Sequence, residues 1–121
     1  MKVESIKFKA KRLDGKGWAI GDLLHSYKNG AIIVPIEGGG AFSVDPDTIC
    51  QYTGLKDKKG TDIFEGDLLA EKRFPMYEVG YVDSEFAASY IGENTFIFKL
   101  PALSKDCVVC GSKYDRKEGE K

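Results

Sequence analysis

Apolar and polar residues alternate in short runs along much of the chain, which is the pattern of β-strands with one buried face. The clearest run is SIKFKAKR at residues 5–12, in which an apolar series alternates with a lysine series. The apolar series is Ile6, Phe8 and Ala10, and the lysine series is Lys7, Lys9 and Lys11. This pattern predicts a half-buried strand, and its lysines favour a position at the edge of a sheet, where charge discourages pairing with a second chain.

Turn residues that separate apolar runs predict further strands. In DLLHSYKNGAIIVPI at 22–36, two runs are joined through Asn29 and Gly30, the dipeptide that best tolerates the positive φ angles of a tight hairpin. Aromatic and β-branched residues predict two or three more strands in the C-terminal third of the chain. Residues 84–90 fit either a strand or a short helix capped by Ser84.

Glycine-bounded turns and apolar anchors alternate in QYTGLKDKKGTDIFEGDLL, residues 51–69. The alternation predicts a strand that Gly54 ends, then a polar loop and two turns that need the conformational freedom of Gly60 and Gly66. An Ile-Phe pair between these two turns can pin the connection onto a core. The segment contains turn-forming residues and apolar residues that can anchor in a core, but no nucleophile, base or metal ligand. A structural role therefore explains why so many of its positions hold a specific residue type.

Strands without long helical patterns predict a mainly β fold with little helix. We expect antiparallel strands that form a small, partly open SH3-like barrel or paired curved sheets. A chain of 121 residues can bury a core without a disulfide or a metal. Residues 1–115 are therefore expected to form a single β domain, and the charged residues 116–121 a flexible tail.

Charge and cysteine content narrow the function classes. With 18 Lys and Arg against 19 Asp and Glu, the net charge of −1 gives no global attraction to nucleic acid or to an anionic membrane. No apolar run approaches the roughly 18 residues that span a bilayer, and the N-terminus lacks the apolar region of a secretory signal. An odd count of three cysteines fits a reducing compartment, so we expect a cytoplasmic protein without a membrane partner.

Cys107 and Cys110 give the sharpest metal signal, because their spacing lets two thiolates meet one zinc ion. They form only half of a structural site, and the other candidate ligands, Cys50 and His25, have no ligand partner at short spacing. The favoured interpretation is therefore that Cys107 and Cys110 are small packed or surface residues, since free cysteine usually behaves as a small apolar residue. His25 is the only histidine and no motif gives it an orienting partner, so we predict no catalytic residue and no cofactor.

The basic N-terminal strand is the strongest nucleic-acid candidate. Its cations are Lys7, Lys9, Lys11 and Arg12, which Lys56, Lys58 and Lys59 could join. The aromatic residues that could stack bases nearby are Tyr52, Phe8 and Trp18. A solvated sheet edge is favoured over a nucleic-acid site, because specific binders usually show a clear basic excess.

The segment 51–69 resembles the signature of the YopX family, small proteins encoded by bacteriophages and prophages. Members carry a close relative of its Gln-Tyr-Thr-Gly-Leu-Lys-Asp start and its Glu-Gly-Asp end. IKFKA at 6–10 is similar to the family's opening strand, and CGSKYD at 110–115 falls where members tend to have Ile-Gly-Asn-Ile-Tyr. The chain departs from the pattern after Ala10, where an aromatic often follows, and at Cys110, where members tend to be apolar, which favours packing for that cysteine.

The resemblance implies a mainly β, phage-derived cytosolic protein that self-associates, and it brings no established activity. It also implies that the central motif is a fold signature, in which glycines set turns and apolar side chains fill the core. The motif residues are Tyr52, Gly54, Leu55, Gly60, Ile63, Phe64, Gly66 and Asp67. We expect a non-enzymatic β module that acts through protein contacts as a homo-oligomer, with an unknown phage or host protein as a further partner. A small nucleic-acid-binding module is the alternative, and zinc binding by the cysteine pair is a third hypothesis.

Overall fold

The computed structural model describes residues 2–72, 75–93 and 95–115. These residues form mainly strands in two antiparallel sheets, so the prediction of a mainly β fold with little helix is confirmed. The charged tail predicted at 116–121 lies outside the described residues.

The bounds of the elements follow in chain order. The strands are β1 (Phe8–Lys11), β2 (Trp18–His25), β3 (Ala31–Pro35), β4 (Phe42–Val44), β5 (Cys50–Lys56), β6 (Asp62–Phe64), β7 (Asp67–Ala70), β8 (Pro75–Val82), β9 (Glu85–Tyr90), β10 (Phe98–Lys99) and β11 (Val108–Ser112). A short α-helix, α1, spans Leu100–Ser104, and 3-10 turns lie at Val3–Ser5, Tyr27–Asn29, Pro46–Thr48 and Lys113–Asp115. Within the described part of the chain, no helix is both long enough and apolar enough to cross a membrane.

The chain divides into two compact units, with the boundary between Tyr52 and Thr53. Strand β5 therefore begins in the first unit and ends in the second. The single domain over 1–115 stays a prediction. Strand pairing among the described residues does not close either sheet into a ring, which is compatible with a partly open barrel, and the SH3-like topology also stays a prediction.

In the first unit the strand order is β4-β3-β2-β1-β5, with antiparallel neighbours. Because β1 lies between β2 and β5, the prediction that its lysines mark a sheet edge is wrong. Alternation along a strand separates its two faces and carries no information about its neighbours. The core consists of Ala10, Ala19, Ala31, Ile33 and Val44, with Phe8, Leu23, Phe42 and Ile49 packed against it.

Strands β2 and β3 form the predicted hairpin, but its turn differs in detail. The positive φ angles fall at Lys28 (56°) and Asn29 (65°), one residue earlier than predicted, and Gly30 has an extended φ of −78°. The reason is the length of the loop, because the Ser26 N–H donates to the Gly30 carbonyl at 2.9 Å and so closes a longer connection than a two-residue turn.

A close approach of main chain to main chain explains the glycine in the middle of β2. A Cβ atom at Gly21 would lie 2.1 Å from the Val34 carbonyl oxygen and 2.7 Å from the Pro35 Cα. Any side chain there would force β2 and β3 apart, so this glycine fixes the distance between the two strands.

In the second unit the strand order is β10-β9-β8-β7-β11, again antiparallel. Residues 84–90, which fitted either a strand or a helix, contain strand β9. Asp83 and Ser84 have φ angles of 52° and 67° and form the two-residue turn from β8 into β9, so Ser84 is not a helix cap. The core consists of Ile63, Leu69, Tyr77, Val79, Ala88, Leu100 and Cys107.

Strand β5 continues through Gly54 to Lys56, so the prediction that Gly54 ends the strand is wrong. Gly54 has a φ of 86° inside the strand. The Thr53 hydroxyl bridges this irregularity, because it donates to the Ile63 carbonyl at 2.7 Å and accepts from the Leu55 N–H at 3.2 Å. A strand can therefore pass through a residue type that normally marks a turn.

Both glycine turns that follow β5 are confirmed. Gly60 precedes β6 with a φ of 84°, and Gly66 joins β6 to β7 with a φ of 86°. The second turn is tied to its surroundings through its main chain. The Gly66 N–H donates to the Val79 carbonyl at 2.8 Å, and the Gly66 carbonyl accepts from the Lys113 N–H at 2.9 Å.

Candidate functional site

The apolar residues of the central motif are core anchors. Ile63 and Phe64 are 0% and 4% exposed, and Tyr52 is also buried. Leu55 is half-buried and packs against the core of the second unit. The structural role that the family resemblance implied for these residues stays a prediction, which their burial supports.

Asp57 organises the polar loop between β5 and β6. Its Oδ1 accepts from the Lys59 N–H at 2.8 Å and the Thr61 N–H at 2.9 Å, while its Oδ2 accepts from the Val109 N–H of β11 at 2.8 Å. The next residue adds a parallel connection, because the Lys58 N–H donates to the carbonyl that precedes β11 at 2.9 Å. One buried carboxylate therefore shapes the loop and fastens it to a strand far along the chain.

The charge state of Asp57 follows from two opposing effects. Burial by itself raises the pKa of this carboxyl, but the N–H groups of Val109, Thr61 and Lys59 together outweigh burial and lower the pKa below its ordinary value. The carboxylate is thus ionised at neutral pH, and its charge is directed at backbone donors. This arrangement favours a mechanical role over acid or base chemistry.

Two other acids of the motif are engaged in the same way. Asp67 is 1% exposed, and its Oδ2 accepts from the Phe64 N–H at 2.7 Å across the turn. Asp62 accepts from the Lys56 ammonium at 2.6 Å. The sequence placed Asp67 in the structural motif but missed Asp57 as the residue that clamps the loop, although an Asp that opens a loop ending in Gly-Thr is a signal for such a turn.

Three lysines form a row on the outer face of the first unit's sheet, the face opposite the core residue Ala10. We call Lys7, Lys9 and Lys11 the lysine row. They alternate along the start of the chain and β1, so neighbouring members lie about 6.7 Å apart along the strand. All three are half-buried, in agreement with the predicted half-buried strand.

Aromatic rings lie beneath the lysine row. The Lys7 ammonium is 4.7 Å from the ring centroid of Tyr52, and the Lys9 and Lys11 ammonium groups are 4.7 Å and 5.2 Å from the indole of Trp18. Such contacts stabilise a cation by the negative face of the ring. They also place two like charges beside one indole.

The structure does not bring Arg12 into the lysine row. Its guanidinium lies 4.0 Å from the ring centroid of Phe42, a residue of the core side, and it pairs with the carboxylate of Asp14. The hydrogen bond from Arg12 is the largest cause that lowers the pKa of Asp14, and a second hydrogen bond, from the Lys16 N–H, lowers it further. The other cations named from the sequence, Lys56, Lys58 and Lys59, belong to the second unit.

Of the three predicted stacking residues, only one has the right placement. Phe8 packs against the core of the first unit, and Tyr52 is 8% exposed. Trp18 is half-buried and lies opposite Lys11 on the outer face. The candidate nucleic-acid site therefore reduces to the lysine row and Trp18.

An aliphatic surface lies on the same outer face, across β2 and β3. We call Ile20, Leu24, Ile32, Val34 and Ile36 the aliphatic patch. Ile20, Leu24 and Ile36 are 47%, 52% and 59% exposed, and Leu24 lies opposite Ile32 in the strand register. The exposed Asp22 lies between Ile20 and Leu24 on the same face, opposite Val34, and interrupts the patch with one carboxylate. The patch was not predicted from the sequence, although the consecutive apolar pairs in DLL and AIIV place one member of each pair on the outer face.

A shallow cavity of about 470 Å³ opens beside the aliphatic patch. It is lined by Glu4, Lys7, Ile20, Pro35, Ile36 and Glu37. Its floor is aliphatic and its rim carries charges of both signs, which is the composition of a surface that contacts another macromolecule.

The cysteine pair is split between two environments. Cys107 is 0% exposed in the core of the second unit, and burial raises the pKa of its thiol. Cys110 is exposed in β11, with its Sγ 3.3 Å from the Leu68 carbonyl. Across residues 2–72, 75–93 and 95–115, no group of three or more His, Cys, Asp or Glu side chains could hold a metal ion. His25 is exposed at the end of β2.

Two clefts lie among the described residues of the second unit. One of about 410 Å³ is lined by Thr53, Leu55, Glu85, Phe86, Lys99 and Pro101. The other, of about 570 Å³, is lined by Leu68, Pro75, Glu78, Ile91, Gly92 and Lys113. In the first, the Thr53 hydroxyl already donates to the Ile63 carbonyl of β6 and accepts from the Leu55 N–H of β5, and in the second the Lys113 ammonium lies 3.8 Å from Glu78.

The comparisons with known proteins agree with the motif. A family model described as YopX protein matches residues 7–118, nearly the whole chain. The matched range includes the lysine row, the aliphatic patch and the central motif. A search of curated proteins found no match.

Proposed function

Because the chain belongs to the YopX protein family, we propose that it is a non-enzymatic β module of phage or prophage origin that acts through protein contacts. It works in the cytoplasm of a bacterial host, and its first partner is a second copy of itself. An unknown phage or host protein is a further partner.

The aliphatic patch carries this proposal. Monomeric proteins rarely leave several large aliphatic side chains exposed next to one another without a functional reason, and such patches mark contact surfaces. Ile20, Leu24 and Ile36 are each about half exposed on one sheet face, with the exposed Asp22 among them, beside a cavity lined by charges of both signs. A two-fold symmetric dimer joins the same surface patch of two copies, so one patch suffices for self-association.

The non-enzymatic part is supported by the use of the motif's acids. Asp57 and Asp67 are buried and accept hydrogen bonds from backbone N–H groups, so the best-specified segment of the chain builds turns.

Burial of Leu24 and Ile36 from their half-exposed state contributes about 1 kcal/mol each, which is enough to decide whether a weak dimer forms.

Sedimentation velocity over a wide concentration range tests the proposal. We expect the wild-type protein to self-associate reversibly and the double variant Leu24→Gln, Ile36→Gln to sediment as a monomer. A control, Val3→Gln with Ile97→Gln, makes the same change at two aliphatic residues outside the patch, which are 77% and 66% exposed. It should associate like the wild type.

Two outcomes count against the proposal. A wild-type protein that stays monomeric at every concentration rejects the homo-oligomer. Unchanged association of the Leu24→Gln, Ile36→Gln variant rejects the aliphatic patch as the interface.

A further inference from the structure

The lysine row presents charge at a regular interval on an interior strand. Alternate residues of a strand lie about 6.7 Å apart, which is close to the separation of successive phosphates in an extended single-stranded nucleic acid. Because β1 pairs with β2 along its whole length and with β5 at Phe8 and Lys9, the main chain that carries Lys9 and Lys11 is held extended and is not part of a flexible loop. Lysines that project at this interval from an extended chain can each contact one of several consecutive phosphates.

The ring beside the row supplies the second component of such a site. Lys9 and Lys11 both lie over Trp18, whose ring is half-buried on the outer face. A phosphate that attracts these two ammonium groups would draw them off the indole and expose its face to a base. Stacking of a base on an aromatic ring stabilises single-stranded complexes by about 1–3 kcal/mol without sequence preference.

We propose that the lysine row and Trp18 bind single-stranded nucleic acid, with phosphates on Lys7, Lys9 and Lys11 and a base on the indole. A duplex fits less well, because its bases are paired and cannot stack on Trp18. An acidic peptide could match the spacing of the charges but has no base to stack. DNA and RNA share the chemistry that this site recognises, so both are tested.

Trp18 is the only tryptophan of the chain, so its fluorescence reports on this site alone. At low salt, the full chain is titrated with oligo(dT), oligo(U), a DNA duplex and poly-glutamate, and tryptophan emission is followed. We expect both single strands to quench the emission. Three phosphate contacts give a slope of about −2 for log K against log salt, because each contact on a single strand contributes about −0.7.

Charge variants separate a specific row from general attraction. Lys9→Gln with Lys11→Gln removes both charges but leaves polar side chains, and it should reduce the slope to about −0.7, since one lysine of the row remains. Lys9→Arg with Lys11→Arg should bind like the wild type. The matched control Lys72→Gln with Lys105→Gln removes the same charge from two exposed lysines and should leave binding unchanged. Circular dichroism verifies that each variant is folded.

The proposal is overturned by any of three results. These are no quenching by either single strand at low salt, equal quenching by poly-glutamate or the duplex, and equal loss of binding in the two Lys→Gln variants. A failure of the nucleic-acid proposal is distinguishable from a failure of the self-association proposal. The Leu24→Gln, Ile36→Gln variant keeps every lysine, so it should lose self-association and still bind oligo(dT).

Discussion

Replacing Asp57 with asparagine tests whether the central motif is held by one buried carboxylate. Asp57→Asn preserves the size of the side chain and one of its oxygens. In the better of its two orientations, the amide oxygen still accepts from the Lys59 and Thr61 N–H groups, and the amide NH₂ faces the Val109 N–H. The opposite orientation would place the NH₂ against two donors, so rotation of the amide cannot restore the network.

The cost follows from what each donor loses. The Val109 N–H loses its acceptor, and a buried donor left without a partner costs about 1–3 kcal/mol. The bonds from Lys59 and Thr61 lose the assistance of a negative charge, which makes a hydrogen bond roughly twice as strong as a neutral one. Together these changes should lower the free energy of unfolding by about 2–4 kcal/mol, a large fraction of the stability of an ordinary domain.

The acid dependence of stability gives an independent signature of the same carboxylate. The pKa of Asp57 lies below its ordinary value of 3.8 in the folded chain, because backbone N–H groups outweigh the opposing effect of burial. A group whose pKa is lowered by folding stabilises the fold above its unfolded-state pKa and loses this contribution as the pH falls through the folded-state pKa. The difference between wild type and Asp57→Asn should thus be constant above about pH 5 and narrow below about pH 4.

Urea unfolding followed by far-UV circular dichroism measures this difference at a series of pH values. The matched control is Asp106→Asn, which neutralises an exposed carboxylate of the same unit and should change stability by less than about 0.5 kcal/mol. The reasoning is refuted if Asp57→Asn unfolds at the same urea concentration as this control. It is also refuted if the stability gap between wild type and Asp57→Asn stays constant down to pH 2.

Two further predictions concern main-chain packing and the thiols. Gly21→Ala should cost about 3 kcal/mol or more in urea unfolding followed by the fluorescence of the sole tryptophan, because its Cβ would meet main-chain atoms of β3. The control is Gly30→Ala, because φ is −78° there and the nearest atom to the new Cβ would be 3.3 Å away. It should change stability by less than about 1 kcal/mol. Equal losses of stability in Gly21→Ala and Gly30→Ala would contradict the argument. A thiol-reactive dye should label Cys110 in the native protein, because this cysteine is exposed. Cys50 and Cys107 are 0% exposed and should be labelled only after unfolding. Equal labelling rates at all three cysteines of the native protein would contradict this prediction.

The buried and exposed faces of a strand could be inferred from the sequence, but the neighbours of the strand in the sheet could not. Alternation in 5–12 correctly assigned Ala10 to the core and the lysines to the other face. The same lysines suggested an edge, because charge on a strand is a known way to prevent aggregation. The pairing of β1 with β2 and β5 depends on residues far away along the chain, and a local alternation of apolar and polar residues carries no information about it.

Glycine shows the same limit in the central motif. Gly54, Gly60 and Gly66 all have positive φ angles, as their residue type suggested. Only the last two end or join strands, whereas at Gly54 the Thr53 hydroxyl carries the strand through. The sequence therefore indicates where the backbone needs special dihedral angles, and the surrounding hydrogen bonds decide whether the result is a turn or an irregular strand.

The outer face of the first unit combines two properties that constrain each other. A protein contact that buried the whole face would also remove the ammonium groups of the lysine row from water, and the desolvation of a charged group costs several kcal/mol. An interface on the aliphatic patch must therefore end near Ile20, which lies opposite Lys9 and is the point where the aliphatic patch meets the lysine row. Beyond that border, a partner of the cations has to be polar or anionic. A phosphate chain along β1 would be such a partner and would leave most of β2 and β3 to the second copy. Lys7, which also lines the cavity beside the aliphatic patch, is the residue that the two contacts would share.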